Sequence, residues 1–142
     1  MRAVDFGVSP FLVIWETTQS CALVCRHCRA SAQPGRDPGE LTTEEGCRVI
    51  DEVAEMGTPL LVLSGGDPVN RPDLLDLIRH GKGRGLRMAT IPAATDCLTR
   101  ELVQSLKTVS NTHLTLPTTI QPWRGGGGRA GSKSGGGGGG GG

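Results

Sequence analysis

The sequence has 142 residues and a formal net charge of +1, and the part before residue 109 carries −2 because the remainder holds three basic residues and no acid (+1 − 3 = −2). Its small basic cluster over residues 79 to 84 is better explained by the capping of a helix end, and no apolar run approaches about twenty residues, so the sequence predicts neither nucleic-acid binding nor a membrane span. Residues 1 to 10 include an acid and lack a long apolar run, which argues against a signal peptide and for a cytoplasmic protein with reduced thiols.

The first predicted element is a strand over residues 11 to 16, a run rich in β-branched and aromatic residues that ends at the polar Thr17. A short apolar run without alternation is typical of a strand buried on both faces in a parallel sheet. Because such folds place their chemistry at the carboxyl ends of the strands, the segment directly after residue 16 is a candidate site.

Three cysteines follow this strand within eight residues, namely Cys21, Cys25 and Cys28. Thiolates at this spacing can hold three irons of a [4Fe-4S] cluster and leave the fourth iron without a protein ligand. A structural zinc site would need a fourth ligand, whereas Cys47 and Cys97 stand apart, and we expect both to pack as small hydrophobic residues. The odd total of five cysteines disfavours a disulfide framework.

The spacing Cys21-x3-Cys25-x2-Cys28 resembles the signature of the radical S-adenosylmethionine (radical SAM) superfamily, C-x3-C-x-aromatic-C. His27 stands in the aromatic position, which in that family lies against the adenine of the cofactor; taken alone, it fits a solvated loop residue equally well. The resemblance implies a [4Fe-4S] cluster on the three cysteines, S-adenosylmethionine on the open iron, and an external one-electron donor of flavodoxin or ferredoxin type. It implies an enzyme in which reductive cleavage of S-adenosylmethionine yields a 5′-deoxyadenosyl radical that abstracts a substrate hydrogen.

The next segment is predicted to be a loop followed by a helix. Residues 30 to 40 contain two prolines and two glycines, so we expect a loop that packs around the cysteines. Thr42 and Glu45 form the S/T-x-x-E pattern of a capping box, apolar residues recur at helical spacing up to Met56, and Gly57 ends the helix.

A second apolar run over residues 59 to 64 predicts a strand that leads into Gly65-Gly66-Asp67-Pro68. By themselves, these four residues are typical of a turn. At the end of a neighbouring strand, however, the glycines would let the backbone come close to a ligand. In radical SAM proteins a Gly-Gly-Glu-Pro-like motif at this place binds the amino group of the cofactor's methionine, largely through backbone carbonyls. The resemblance therefore implies cofactor binding by all four residues, with Asp67 as a tolerated replacement for the more frequent glutamate.

The remaining predicted elements are a helix beginning at residues 70 to 73, a strand over residues 86 to 91 and a helix over residues 99 to 107. In the family, polar side chains near the end of the third strand help to hold the methionine carboxylate or the ribose. The resemblance thus makes Thr90 a candidate cofactor-binding residue, and Thr95 a further one.

Three strand–helix units predict an α/β domain whose parallel sheet has an open edge. Residues 1 to 108 accordingly resemble the N-terminal part of the radical SAM core, the first half of a partial (β/α)6 barrel. Residues 4 to 108 also resemble radical SAM proteins with a cysteine-rich SPASM-type extension, which mature tetrapyrroles and peptide-derived cofactors; this implies a small-molecule or peptide substrate.

Residues 109 to 142 differ from the rest of the chain, since they lack acids and end in glycine runs. They resemble a translated sequencing adapter followed by poly-G, and we predict a disordered segment that is not part of the natural protein. The alternative for this segment is a Gly-rich linker. Two alternatives for the function stay open, an iron–sulfur electron-transfer module without radical chemistry and an inactive fragment.

Overall fold

The computed structural model describes residues 7 to 109, so the prediction for residues 109 to 142 lies outside the described residues except at Val109. Strands and helices alternate along the described part, as the sequence predicts. The elements are β1 (Leu12–Glu16), α1 (Thr43–Glu55), β2 (Leu60–Ser64), α2 (Leu74–Gly83), β3 (Arg87–Thr90) and α3 (Arg100–Val109), with a 3-10 turn over Pro68–Asn70.

The three strands form one parallel sheet in the order β1-β2-β3. Ile14 lies beside Val62, and Val62 lies beside Ala89. All three strands therefore end at the same edge of the sheet, and the segments that follow them are neighbours there. This arrangement confirms the predicted α/β fold.

The capping box of α1 is confirmed. The Thr42 hydroxyl accepts a hydrogen bond from the Glu45 backbone N–H at 3.3 Å, and the Glu45 carboxylate accepts one from the Thr42 N–H at 2.9 Å. Both bonds satisfy amide groups that have no partner inside the helix. Gly57 follows the helix with a φ of 77°, a conformation that favours glycine.

The hydrophobic core lies on one face of the sheet, where the helices cover it. It is centred on Leu61 and Leu63 of β2, Ile50 of α1, and Leu77 and Ile78 of α2, all of which are fully buried. Trp15 of β1 packs against this cluster. Because side chains alternate along a strand, the other face is formed by the residues between these.

The prediction that β1 is buried on both faces is wrong. Leu12 and Ile14 are 41% and 51% exposed, whereas Val13 and Trp15 of the same strand contact the core. β1 is an edge strand of the sheet, and within residues 7 to 109 the helices pack on the Val13 and Trp15 face only. The apolar run of β1 therefore contains residues of an uncovered face of the sheet as well as residues of the buried face.

Smaller differences concern the ends of the helices and the outlying cysteines. α2 begins at Leu74, with Asp73 before its first turn, and α3 extends to Val109, which packs against the core. Cys47 packs beside the core as predicted, but Cys97 is exposed and the prediction that it packs is wrong. Among the residues that the structure describes, no helix is both long and apolar enough to cross a membrane.

Candidate cluster and cofactor site

The cysteine segment, residues 17 to 28, directly follows β1 at the carboxyl edge of the sheet. Cys21 is buried, Cys28 is partly buried and Cys25 is exposed. Two of the three sulfurs accept backbone hydrogen bonds, Cys21 Sγ from Leu23 N–H and Cys28 Sγ from Ala32 N–H, both at 3.4 Å. The bond from Leu23 N–H favours the thiolate form of Cys21, which is the form that binds metal.

Burial has the opposite effect on the same thiol. It raises the pKa of Cys21 above its ordinary value, and the Leu23 N–H opposes that shift. Within residues 7 to 109, no group of three or more His, Cys, Asp or Glu side chains is arranged to hold a metal ion. The donor chemistry nevertheless fits an iron–sulfur cluster, since the loop offers three soft sulfur ligands and backbone amides directed at two of them.

The loop over residues 30 to 40 is hydrogen-bonded to the start of the cysteine segment. Cys21 N–H donates to the Gln33 carbonyl, and Gln33 N–H donates to the Gln19 carbonyl, each at 2.8 Å. Glu40 then accepts from the Thr18 hydroxyl at 2.6 Å and from Gln19 N–H at 3.1 Å. Burial opposes ionisation of Glu40, but the hydrogen bonds from Thr18, from Arg36 and from Gln19 N–H hold its pKa below the ordinary value.

The segment from Gly65 to Pro68 lies directly against the start of the cysteine segment. Gly66 N–H donates to the Thr18 carbonyl and Asp67 N–H donates to the Ser20 carbonyl, both at 2.7 Å. Gly65 has a φ of 138°, which side chains rarely tolerate. At Gly66 a Cβ atom would lie 2.6 Å from the carbonyl oxygens of Gln19 and Ser20. The glycines therefore permit a close approach between two segments of the chain itself.

Asp67 connects this segment to the segment after β3. Its side chain is fully buried, and its Oδ1 accepts hydrogen bonds from the N–H groups of Val69 and Ala93, each at 3.2 Å. Its Oδ2 accepts from the Thr95 hydroxyl at 2.9 Å. The segments that follow all three strands are thus joined through this one residue.

The other predicted cofactor residues lie at different depths. His27 is exposed and directly precedes Cys28, within the cysteine segment. Thr90 is buried, and its hydroxyl donates to the Leu63 carbonyl at 3.1 Å, so this side chain is engaged within the sheet. The structure brings Gly65, Gly66 and Asp67 to the cysteine segment, and it joins Thr95 to them through the Asp67 carboxylate.

Sequence reasoning missed a buried ion pair beside this site. The Arg71 guanidinium donates to both carboxylate oxygens of Asp73, at 2.8 Å and 2.7 Å, and Asp73 also accepts from the Thr43 hydroxyl at 2.7 Å. The hydrogen bond from Arg71 is the largest cause that lowers the pKa of Asp73, to about 2. No local pattern in the sequence points to this role, because Arg71 lies before α2 begins at Leu74 and contacts Thr17 and Leu41, which are distant in the chain.

The sequence model of the Radical SAM superfamily matches residues 15–119, a range that extends past the predicted domain boundary at residue 108. The chain belongs to the radical SAM superfamily.

Two relatives illustrate the similarity in sequence. The chain is 44% identical over 99 residues to the AdoMet-dependent heme synthase of Methanosarcina barkeri, covering 70% of this chain and 28% of that protein. It is 37% identical over 112 residues to the PqqA peptide cyclase of Bradyrhizobium diazoefficiens, covering 79% of this chain and 29% of that protein. The chain therefore spans less than a third of the length of these curated relatives.

The fold is similar to that of a solved structure. The crystal structure of SuiB from Streptococcus suis bound to S-adenosylmethionine matches 70% of this chain and 23% of that chain, with a TM-score of 0.60 and 16% sequence identity. At this level of identity, the match shows a shared fold alone.

Proposed function

We propose that this chain provides the cluster- and cofactor-binding part of a radical SAM enzyme. The observation that carries the proposal is the direct attachment of the Gly65 to Pro68 segment to the start of the cysteine segment. Two backbone hydrogen bonds make this attachment, from Gly66 N–H to Thr18 and from Asp67 N–H to Ser20. A cofactor held by the first segment would thereby lie beside a cluster held by the second.

In this proposal Cys21, Cys25 and Cys28 hold a [4Fe-4S] cluster, and the missing fourth thiolate leaves one iron for the cofactor. The chemistry that the cluster supplies when bound is the one-electron reductive cleavage of S-adenosylmethionine to methionine and a 5′-deoxyadenosyl radical, which abstracts a substrate hydrogen. The protein's part is to bind, orient and exclude water. The N–H groups of Leu23 and Ala32 stabilise two of the ligand sulfurs.

The backbone of the Gly65 to Pro68 segment is proposed to bind the methionine amino group. The Asp67 and Pro68 carbonyls already accept the N–H groups of Asn70 and Arg71, so we place this contact on the carbonyls of Gly65 and Gly66. His27 would lie against the adenine. Because the Thr90 hydroxyl donates its hydrogen to the Leu63 carbonyl, it would serve the cofactor as a hydrogen-bond acceptor rather than as a donor.

The whole protein is proposed to act on a tetrapyrrole or a peptide precursor, with a flavodoxin or ferredoxin as the electron donor. The names of the two relatives support these two substrate classes, since one is a heme synthase and the other a peptide cyclase. In this proposal the segments that would contact the substrate lie outside residues 7 to 109. The rest of the protein would therefore determine which of the two substrate classes is bound.

Cluster assembly by single cysteine variants tests the ligand assignment. We expect the protein as its gene encodes it, reconstituted with iron and sulfide under anaerobic conditions, to take up about four irons at this site. Cys25→Ala should lose that cluster, because two protein thiolates do not hold the cube, whereas Cys97→Ala should keep it. Both residues are exposed cysteines, so the pair of variants separates ligation from the general loss of a surface thiol.

The measurement is the iron and sulfide content together with the electron paramagnetic resonance spectrum of the reduced protein. An unchanged cluster in Cys25→Ala would overturn the assignment. A normal cluster that shows no spectral change on addition of S-adenosylmethionine would favour the iron–sulfur electron-transfer module instead.

A further inference from the structure

Arg71 is a charged side chain in a buried position, and its side chain is only 1% exposed. A guanidinium is costly to bury unless its charge is paired and its N–H groups find acceptors. Asp73 supplies the pairing through a bidentate contact. The guanidinium carbon also lies 5.8 Å from the centre of the Trp15 ring, within the range of a cation–π contact.

The other two acceptors of Arg71 show what the side chain connects. Its Nη1 donates to the Thr17 carbonyl at 2.9 Å, and its Nη2 donates to the Leu41 carbonyl at 3.1 Å. Thr17 is the first residue after β1, and Leu41 stands two residues before α1 begins at Thr43. These carbonyls are therefore the two ends of the long connection that carries all three cysteines.

We propose that Arg71 is a positioning residue. It holds together the two ends of the cysteine-bearing connection, Thr17 and Leu41, and fixes them to the start of α2. The link to cluster binding rests on the proposed function, while the closure itself does not. A long flexible connection loses conformational entropy when its ends are held together, and a cluster that binds to a closed connection has less of that loss to offset. Arg71 thus lowers the entropic cost of bringing the three thiols to the cluster, without itself contacting the cluster.

A second contact between the same two ends of the connection supports the proposal. Glu40, just before Leu41, accepts hydrogen bonds from Thr18 and Gln19, just after Thr17. The planar fork of arginine is the feature that allows one side chain to hold a carboxylate and two carbonyls at once. Lysine has the same charge but presents it as a single point with three donors, so it would not hold all of these acceptors in place.

The test is Arg71→Lys in the protein as its gene encodes it, measured before any cluster is added. We expect amide hydrogen exchange over residues 17 to 41 to become about tenfold faster, the effect of losing one or two charged hydrogen bonds. Amides of the core near Ile50 and Leu77 should keep their exchange rates. Arg84→Lys is the matched control, since Arg84 is a half-exposed arginine that pairs with Asp51 and Glu55, both on α1.

A uniform rise in exchange over the core and the connection would overturn the proposal, because it would make Arg71 a general stabiliser of the fold. Unchanged exchange over residues 17 to 41 would overturn it as well. In the reconstituted protein we expect Arg71→Lys to lose iron to a chelator about tenfold faster than the Arg84→Lys control. If the unmodified protein bound no cluster, the proposed function would fail, and the exchange data would still decide the role of Arg71.

Discussion

Replacing Gly66 by alanine is expected to lower the free energy of unfolding by about 3 kcal/mol, the upper range for overpacking a buried site. The new Cβ atom would lie 2.6 Å from the carbonyl oxygens of Gln19 and Ser20. Neither oxygen belongs to a flexible side chain that could move aside. Relieving the overlap would separate the two segments and break the hydrogen bonds that Gly66 and Asp67 donate to Thr18 and Ser20.

Chemical denaturation of Gly66→Ala beside Gly83→Ala measures this effect. Gly83 is an exposed glycine at the end of α2, and a Cβ atom there would meet nothing within 4 Å. Alanine at that position is expected to be neutral or to stabilise by about 0.5 kcal/mol through its helix propensity. Equal stabilities for the two variants would show that the two segments are not in the close contact that the structure describes.

Replacing Asp67 by alanine is expected to cost about 3 kcal/mol, because three hydrogen-bond donors lose a charged acceptor. These donors are the N–H groups of Val69 and Ala93 and the hydroxyl of Thr95. The loss should be concentrated in the segment after β3, which the carboxylate attaches to the segment after β2. Denaturation gives the total cost, and hydrogen exchange at Ala93 and Thr95 locates it.

Asp67→Asn is the matched variant for this experiment. Its amide oxygen can still accept from both N–H groups, and its NH₂ can donate to the Thr95 oxygen, so we expect a cost of about 1 kcal/mol. If asparagine proved as damaging as alanine, the negative charge of Asp67 would matter beyond these three bonds. A neutral effect of Asp67→Ala would contradict the joining role assigned to the carboxylate.

The sequence was sufficient for the order of the elements because each boundary carries a local signal. The capping box at Thr42 and the glycine at Gly57 both act through hydrogen bonds or backbone conformation within a few residues. The burial of β1 was predicted wrongly because an apolar run does not report which faces are covered. Leu12 and Ile14 are exposed because the described helices pack on the opposite face of the sheet, the face of Val13 and Trp15.

The same distinction between local and long-range features holds for the candidate site. The cysteine spacing and the Gly65 to Pro68 motif are contiguous in sequence, so they could be recognised there. The contacts of Arg71 with Thr17 and Leu41 join residues separated by 54 and 30 positions, and those of Asp67 with Ala93 and Thr95 span 26 and 28. Such pairs follow from how the strands lie side by side, and no local pattern specifies them.

The most direct test of the central claim is to incubate the reconstituted protein with S-adenosylmethionine and dithionite without oxygen, and to quantify the nucleoside and amino-acid products. We expect 5′-deoxyadenosine and methionine in equal amounts, and neither product with Cys25→Ala. If dithionite reduces the bound cluster and yet no 5′-deoxyadenosine forms, the assignment of radical chemistry to this site would be contradicted.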